Sequence, residues 1–289
     1  MKKKLHTYQT RQQMLSGNYE IFHYSDSKIR QVNLHHHDFY ECYFFISGSI
    51  SYLIEGKNFD LKPGDIVLVN FTELHQAVIK GSETPCERIV LWLNKDYLNS
   101  LSTSKTDLSR CFEDTGRDNI IRAGLEMQQS IRATLDKLLS VQDYTGIGCD
   151  LLEKTLITEL LVYLNIIWFE NELKFDVDVR KNNIIDGIIH YINSHIEDQI
   201  TIDELSEHFF LSKYHLLREF KKHTGTTIHK YIVQKKLIQA KKLILCGTPI
   251  INVYKQCGFG DYSNFFRAFK NEYGVTPKYF YDSMYKNGS

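Results

Sequence analysis

Three histidines and one glutamate are spaced so that they could bind a metal ion or a polar ligand. His35, His37 and Glu41 lie close together in the chain, and His75 follows after a turn-rich stretch. Neutral imidazoles and a carboxylate suit divalent Fe, Mn, Ni or Zn, and the same groups can hydrogen-bond a small molecule. His36 adds an ambiguity, because alternate residues of a strand face opposite sides. These residue types leave both kinds of site open.

A second group of residues that could do chemistry lies in the last third of the chain. The frame apolar-Arg-x-Phe-Lys-x-x-x-Gly occurs twice, at 217–225 and 266–274, which indicates a duplicated module. Each copy follows a shorter predicted helix and a tight turn, which is the arrangement of a helix-turn-helix unit. A long helix over 228–245 is predicted to separate the copies. Helical periodicity points the following side chains outward: Lys213, Tyr214, Leu217, Arg218 and Lys221 in the first copy, and Tyr262, Ser263, Asn264, Phe266, Arg267 and Lys270 in the second.

Residues 19–93 must supply the strands that position the histidines and the glutamate. Short runs such as 43–46 and 66–69 are rich in apolar, β-branched and aromatic residues, and turn sequences separate them. This pattern predicts a barrel or a sandwich of short strands. Residues 94–118 are polar, and we predict that they are irregular.

Helical periodicity replaces the strand pattern in the middle of the chain. Apolar stripes at 121–139 and 151–164 predict two amphipathic helices. The break at 144–148 would let these helices fold back as an antiparallel pair. Residues 171–183 are charged and weakly periodic, and we predict that they form a linker.

Capping residues define the helices of the last hundred residues. Thr201 and Glu204 have the spacing of a capping box. Ser212 and Asp261 are predicted to cap the second helix of each unit. Gly258 is predicted to supply left-handed backbone in the second turn.

Charge is distributed unevenly along the chain, although the formal net charge is zero. Residues 1–179 contain 19 Lys and Arg against 25 Asp and Glu, a net charge of −6, whereas residues 180–289 contain 16 against 10, a net charge of +6. A basic C-terminal part predicts a polyanionic partner for that part. The six cysteines lack C-x-x-C spacing, which favours reduced thiols over a zinc site or a disulfide framework.

The chain shows no pattern typical of export or of membrane insertion. The basic start at 1–5 has no apolar stretch behind it, so it is not a signal peptide. The apolar segment 157–169 is shorter than the roughly 20 residues that a membrane span needs. We therefore expect a cytoplasmic protein without a membrane partner.

The C-terminal motifs resemble the DNA-binding domain of the AraC/XylS family over residues 184–282. The signature is Gly258-Phe259-x-Asp261-x-x-x-Phe265-x-Arg267-x-Phe269-Lys270-x-x-x-Gly274-x-Thr276-Pro277. Phe210 and Tyr254 depart from the family pattern, which usually has a turn glycine and a small alanine there. The resemblance implies that the second helices of both units lie in adjacent major grooves. The residues that it implies for DNA contact are Tyr214, Leu217, Arg218, Tyr262, Ser263, Asn264 and Arg267.

Arginine and lysine have different expected roles on these helices. Arg218 and Arg267 can each hold a guanine or a phosphate with two hydrogen bonds. Lys221 and Lys270 are expected to meet phosphates, which position the protein without specifying sequence. Leu217 is apolar where a base-reading side chain could lie, so the first unit is expected to read methyl groups or to contribute less specificity.

The N-terminal motifs resemble those of cupins. His35-x-His37-x-x-x-Glu41 resembles the first cupin motif, and Pro63-Gly64-Asp65 followed by His75 resembles the second. In cupin enzymes the matching residues bind a divalent metal, which would make this chain a metal-dependent enzyme fused to a DNA-binding module. AraC-type regulators commonly carry such a barrel without a metal, as an effector pocket. We favour the effector pocket and expect no metal, no cofactor and no enzymatic activity. Its predicted residues are His35, His37, Glu41, Tyr43, His75 and Trp92.

These observations predict an α+β protein of several domains. Residues 1–118 are expected to form a cupin-like effector-sensing β-barrel, and residues 119–170 a helical hairpin that the family resemblance makes a dimerisation element. After the linker 171–183, residues 184–289 are expected to form the all-α DNA-binding domain with two helix-turn-helix motifs joined by a long helix. The predicted function is transcription regulation at double-stranded promoter DNA by a homodimer. A sugar or a related metabolite is the expected effector.

Overall fold

Residues 5–6, 13–27, 30–80, 84–114, 118–171, 179–180 and 183–285 are described by the computed structural model of this chain. The chain divides into two units, Met1–Arg180 and Lys181–Ser289. Each unit is treated separately below. The predicted boundary between residues 118 and 119 stays a prediction. Most of the predicted linker 171–183 lies outside the described residues.

All the described strands belong to the first unit. In the part of the chain that the structure describes, they form two antiparallel five-stranded sheets, with the orders β1-β8-β3-β6-β9 and β10-β5-β4-β7-β2. The predicted β-rich N-terminal domain is therefore confirmed. The strands are β1 Tyr19–Asp26, β2 Arg30–Gln31, β3 Phe39–Ser47, β4 Ile50–Ile54, β5 Lys57–Asp60, β6 Ile66–Val69, β7 His75–Ile79, β8 Cys86–Asn94, β9 Ile120–Ile121 and β10 Val179–Arg180.

Both faces of the first sheet are buried, which explains the long apolar runs in its sequence. In β3, Tyr43 and Phe45 belong to a core shared by both sheets, whereas Cys42 and Phe44 belong to a core formed with the helices. Successive side chains of a strand point to opposite faces. A strand that is covered on both faces has no polar face to show, so its sequence is a continuous apolar run.

The helices of the first unit cover the outer face of the first sheet. They are α1 Lys95–Leu101, α2 Arg110–Glu113, α3 Leu125–Val141 and α4 Cys149–Asn171. The apolar stripes of α3 and α4, including Leu135, Leu138 and Leu160, share one core with Leu91 of β8. The antiparallel pair is thus packed onto the sheet, and its two helices have the predicted break between them.

Two short helices lie where the sequence predicted irregular structure. The helix α1 begins because the side chain of Asn94 accepts hydrogen bonds from the backbone N–H groups of Asp96 and Tyr97. Leu98 and Leu101 then reach the core. The expectation of irregular structure over 94–118 was wrong there because two buried leucines on a single helical turn give too short a pattern to recognise.

In the described residues of the second unit, the secondary-structure elements are all helices, as predicted. The predicted long helix between the two copies is confirmed at Ile228–Leu245. In the described residues of both units, every helix is too short or too polar to cross a membrane. The helices are α5 Asn183–Ser194, α6 Ile202–His208, α7 Lys213–Thr224, α8 Ile228–Leu245, α9 Ile250–Gln256, α10 Tyr262–Tyr273 and α11 Pro277–Tyr285.

The predicted helix caps of the second unit are present. Thr201 accepts a hydrogen bond from the Glu204 N–H at 3.1 Å, and the Glu204 carboxylate accepts one from the Thr201 N–H at 3.4 Å, which completes the capping box. The Ser212 side chain accepts a hydrogen bond from the His215 N–H at the start of α7, and the Asp261 side chain accepts one from the Asn264 N–H at the start of α10. These bonds satisfy backbone N–H groups that have no partner within the helix.

A buried lysine joins the second turn to the loop after α5. The Nζ atom of Lys236 donates to the carbonyl oxygens of Asp198 at 2.7 Å and Gly258 at 2.5 Å. Burial lowers the pKa of this lysine. Gly258 has φ +66°, and a Cβ there would lie 2.5 Å from the carbonyl oxygen of Glu197 and 2.6 Å from that of Asp198. The second turn therefore needs glycine for its conformation and for its close packing.

In the turn of the first helix-turn-helix unit, a phenylalanine lies at the matching left-handed position. Phe210 has φ +53°, and its side chain is 95% exposed. It occupies the left-handed position that Gly258 occupies in the second unit, where φ is +66°. A side chain in that region clashes with its own backbone, at a cost of about 1–2 kcal/mol. The departure from the family pattern noted at Phe210 thus carries a strain.

We predict that Gly258→Ala lowers the free energy of unfolding much more than Gly274→Ala. Both glycines are left-handed, so either alanine costs about 1 kcal/mol of backbone strain. Only at Gly258 would the new methyl group also meet two carbonyl oxygens, whereas at Gly274 no atom of the described residues lies within 4 Å. Denaturant unfolding of the full chain, followed by circular dichroism, measures the difference. Equal losses would contradict the close packing at Gly258.

We predict that Phe210→Gly raises the free energy of unfolding by about 0.5–1 kcal/mol, since glycine removes the strain of the left-handed backbone. Little packing is lost because the ring is exposed. Phe210→Ala is the matched control, as it removes the ring but keeps the strain. A gain of the same size in both variants would show that the ring, not the backbone, is unfavourable.

Candidate effector pocket and DNA interface

Glu41 is buried between the two sheets. It lies in β3 directly opposite Trp92 of β8, and the alternation of β3 places it on the same face as Phe39 and Tyr43. Its side chain is therefore directed into the core that both sheets share. Sequence reasoning placed Glu41, Tyr43 and Trp92 in one pocket, and the structure brings them to one face of the sheet.

Donors from both sheets hydrogen-bond the Glu41 carboxylate. The Trp92 Nε1–H donates to Oε2 at 2.9 Å, from within the same sheet. The Tyr52 hydroxyl donates to Oε1 at 2.5 Å from β4 in the other sheet. Tyr52 also has an edge contact with the Tyr43 ring, with centroids 5.3 Å apart. The carboxylate thus connects the two sheets through polar contacts.

Three histidine rings gather beside this carboxylate. The His37 ring lies 4.7 Å from the His75 ring, and the His35 ring lies 4.3 Å from it, between centroids. His35 and His75 also exchange two backbone hydrogen bonds, of 3.1 and 2.9 Å. The ambiguity about the three consecutive histidines is resolved, because His35 and His37 both reach His75.

Backbone carbonyls fix the orientation of each of the three rings. The Nδ1 atom of His35 lies 2.8 Å from the Asn33 oxygen, that of His37 lies 2.8 Å from the Phe39 oxygen, and that of His75 lies 3.0 Å from the Glu73 oxygen. A carbonyl oxygen only accepts, so each Nδ1 must carry the proton. In the neutral ring the Nε2 atom then presents a lone pair.

Burial keeps these rings neutral. It lowers the pKa of His75 to about 4 and that of His35 to about 3, and it lowers the pKa of His37 as well. Burial acts against ionisation of Glu41, but the pKa of this carboxyl still lies well below its usual range, in part because the Tyr52 hydroxyl donates a hydrogen bond to the ionised form. The pocket therefore combines neutral imidazoles with an ionised carboxylate.

Three of these side chains could hold a metal ion. Within the described part of the chain, the ligand atoms of His37, Glu41 and His75 all lie within 4.8 Å of one another, and all three residues are buried. The His37 Nε2 atom lies 3.6 Å from the Glu41 Oε2 atom. This is too long for a hydrogen bond but within the range spanned by two ligands of one ion.

A second polar group on the same inner face escaped the sequence analysis. The Arg88 guanidinium contacts Asp26 at 2.6 Å and lies over the Tyr24 ring, with 4.9 Å between its Cζ and the ring centroid. Arg88 is only 3% exposed. The signal was present, because the alternation of β8 places Arg88 on the same face as Trp92.

All ten residues proposed for DNA contact are exposed on the second helices of the two units. In α7 the core is formed by Leu216 and Phe220, and in α10 by Phe265 and Phe269, which leaves the predicted faces outward. Their contact with DNA stays a prediction. The exposed residues are Lys213, Tyr214, Leu217, Arg218 and Lys221 in α7 and Tyr262, Ser263, Asn264, Arg267 and Lys270 in α10.

The two arginines of these faces are held by neighbours on their own helices. Asn264 Oδ1 accepts a hydrogen bond from Arg267 Nη2 at 2.6 Å. The carboxylate of Glu219 lies 3.1 Å from Arg218 Nη2, a contact that the sequence analysis did not consider. Arg267 is thus held by a neutral group, whereas Arg218 is held by an acidic one.

Two family models match the chain, each over one of the units described above. The model described as an AraC-like ligand binding domain matches residues 18–161, and the model described as a helix-turn-helix domain matches residues 205–282. A curated relative, the HTH-type transcriptional activator RhaS of Salmonella heidelberg (strain SL476), is 22% identical over 245 residues. The alignment spans 84% of this chain and 85% of that protein.

Solved structures also show similarity to the chain. The crystal structure of ToxT from Vibrio cholerae O395 is 14% identical, covers 93% of this chain and 99% of its own, and has a TM-score of 0.37. The C-terminal domain of the response regulator yesN from Fusobacterium nucleatum is 33% identical, covers 35% of this chain and 99% of its own, and has a TM-score of 0.34. On the two family models, the chain belongs to the AraC family of helix-turn-helix transcription regulators and carries an AraC-like ligand-binding domain.

Proposed function

We propose that this regulator binds promoter DNA sequence-specifically and that a small molecule in the pocket of the first unit controls this binding. The observation that carries the proposal is the pair of capped helices α7 and α10, whose exposed faces are basic and polar. The net charge of +6 over residues 180–289 supports an anionic partner. Arg218 and Arg267 would supply base or phosphate contacts, and Lys221 and Lys270 would supply phosphate contacts.

The pocket around Glu41 is the proposed effector site. Its walls are aromatic, with Phe39, Tyr43 and Trp92 among them, and its polar groups are few and buried. Apolar walls with a few fixed polar groups suit a small polar metabolite, and aromatic faces suit a sugar. A sugar or a related metabolite is therefore the effector class that we propose, with His35, His37, Glu41 and His75 as its polar contacts.

The helical pair supplies a surface for a second copy of the chain. One side of α4 packs on the sheet, but Leu151, Leu152, Ile166 and Phe169 are exposed. Exposed apolar side chains on one helix favour a protein interface. We propose a homodimer through α3 and α4, because a symmetric dimer would present two DNA-binding units to two half-sites.

Effector control requires a difference in affinity between two arrangements of the protein. A ligand shifts an equilibrium only as far as it binds one arrangement better than the other. The similarity to RhaS, a transcriptional activator, favours activation as the outcome for this chain.

The decisive experiment measures binding of the full chain to the DNA upstream of its own and neighbouring genes, over a salt series, with and without candidate sugars. We expect tight binding to one sequence that changes in affinity with one compound. Binding that is weak and equal on all sequences would contradict the proposal. Specific binding that no compound alters would retain the DNA-binding part and reject effector control.

Two variants of α10 separate sequence readout from phosphate contact. Arg267→Ala should cost about 1–3 kcal/mol on the cognate sequence and relax the preference at one base pair, since a bidentate contact to guanine is lost. Lys270→Ala should weaken binding on all sequences and reduce the slope of log affinity against log salt by about 1. Lys57→Ala, on an exposed strand residue of the first unit, is the control for the charge change. An unchanged slope in Lys270→Ala, or an equal loss on all sequences in Arg267→Ala, would reject the corresponding role.

A further inference from the structure

The long helix α8 contacts both helix-turn-helix motifs, each through a different part of its length. The first motif is α6 and α7, and the Phe220 ring of α7 meets the Tyr231 ring of α8 edge-on, with centroids 5.6 Å apart. The second motif is α9 and α10, and Phe265 of α10 shares a core with Leu237 and Ala240 of α8. Because long helices bend easily, α8 by itself would leave the two motifs free to move against each other.

Lys236 makes a second connection between the motifs. It lies in α8 between Tyr231 and Leu237, and it is only 6% exposed. Its Nζ atom donates to the carbonyl oxygen of Asp198, in the loop that leads from α5 into the first motif, and to that of Gly258, in the turn of the second motif. One ammonium group thus links the entry to the first motif with the turn of the second.

The backbones of this loop and this turn are in close contact. A Cβ at Gly258 would lie 2.5 Å from the Glu197 carbonyl oxygen, and one at Gly260 would lie 3.2 Å from the Gln199 Nε2 atom. A carbonyl oxygen only accepts hydrogen bonds, so two segments that turn carbonyls toward one point need a donor there. Lys236 supplies this donor at 2.7 and 2.5 Å.

The position of the second turn is passed directly to α10. The cap of this helix, Asp261, lies three residues after Gly258, and its side chain accepts a hydrogen bond from the Asn264 N–H at 2.7 Å. Both acceptors of Lys236 are main-chain atoms, so the bonds constrain the backbone itself and not a rotatable side chain. A shift of the turn relative to the loop would therefore carry α10 with it.

We propose that Lys236 fixes the orientation of the second helix-turn-helix motif relative to the first, and thereby the spacing of the two DNA segments that α7 and α10 contact. Lys236 is a positioning residue, because its ammonium group is bound in the interior and does not touch DNA. The spacing part of this inference rests on the proposed DNA binding, but the fixed orientation of the motifs does not. One base pair changes the spacing by about 3.4 Å and the rotation by about 35°, so a rigid pair of motifs discriminates against it.

The first measurement compares DNA sites of different spacing. The full chain is titrated with the sequence that it binds most tightly, and with two versions that have one base pair more or fewer between the segments that footprinting assigns to α7 and α10. We expect the wild-type chain to lose about 10- to 100-fold on both altered sites, because one motif then loses base contacts. For Lys236→Met, which keeps a stem of similar length without the donor, we expect the three affinities to lie within about 3-fold, since specificity is a difference of affinities.

Lys242→Met is the matched control, because it removes the same charge from an exposed position of the same helix. It should keep the wild-type spacing preference. A loss in Lys236→Met by one factor on all three sites would overturn the proposal, since it would show a role in stability alone. Circular dichroism establishes that the variants are folded. If Lys236→Met does not fold, Lys236→Gln, which keeps an amide donor on a shorter side chain, takes its place with the same expectation.

The second measurement needs no DNA. Spin labels at Lys222→Cys in α7 and Asn271→Cys in α10, both exposed positions, report the distance between the motifs by double electron–electron resonance. The chain carries serine at Cys149 and Cys246, since neither cysteine is buried. We expect one narrow distance with Lys236 present, and a broader or displaced distribution in Lys236→Met. An unchanged distribution would overturn the proposal.

The two measurements separate this inference from the proposed function. A chain that binds one sequence tightly, but whose Lys236→Met variant keeps the wild-type spacing preference and distance distribution, would reject the positioning role alone. A wild-type chain that binds all sequences weakly and equally would reject the proposed function. The distance between the labels would then still decide whether Lys236 fixes the two motifs.

Discussion

A carboxylate buried between two sheets is the constraint on which the first unit depends. An ionised group in an apolar core is costly unless hydrogen bonds or opposite charges compensate for its lost hydration. Glu41 receives one donor from each sheet, Trp92 from its own and Tyr52 from the other. The Trp92 bond forms only when β3 and β8 are in register, and the Tyr52 bond forms only when the two sheets are correctly spaced. The groups that hydrogen-bond this carboxylate therefore also join the two sheets.

The same principle governs the histidines. Each ring is oriented by a carbonyl two residues away in the chain, as in His37 and Phe39 or His75 and Glu73. This local contact decides which nitrogen carries the proton, and the burial of the ring keeps it neutral. The Nε2 lone pairs of His37 and His75 consequently lie beside the Glu41 carboxylate. This arrangement follows from the carbonyl contacts of the Nδ1 atoms and not from the number of histidines.

In the second unit, the two copies of one motif meet the same conformational demand differently. Gly258 adopts its left-handed backbone easily and allows the loop after α5 to approach, where Lys236 holds two carbonyls. Phe210 adopts a similar backbone at a cost and stays exposed. The second copy also orients its arginine with the neutral Asn264, whereas Arg218 of the first faces Glu219. The two copies thus differ both in the backbone of the turn and in the neighbour of the arginine.

The sequence by itself determined the order of the elements, the capped helices of the second unit and the side chains that face outward from α7 and α10. Those features depend on periodicity and on contacts between residues three or four apart, which are visible in the chain. It also identified His37, Glu41 and His75 as candidates, but not how they are protonated. It missed α1, which is too short to show a period, and Arg88, which pairs with Asp26 from another strand. Only the tertiary structure decided that Tyr52 reaches Glu41 across the sheets and that two histidine lone pairs meet a carboxylate. Such contacts join residues that are far apart in the chain, and their distances exist only once both sheets are packed.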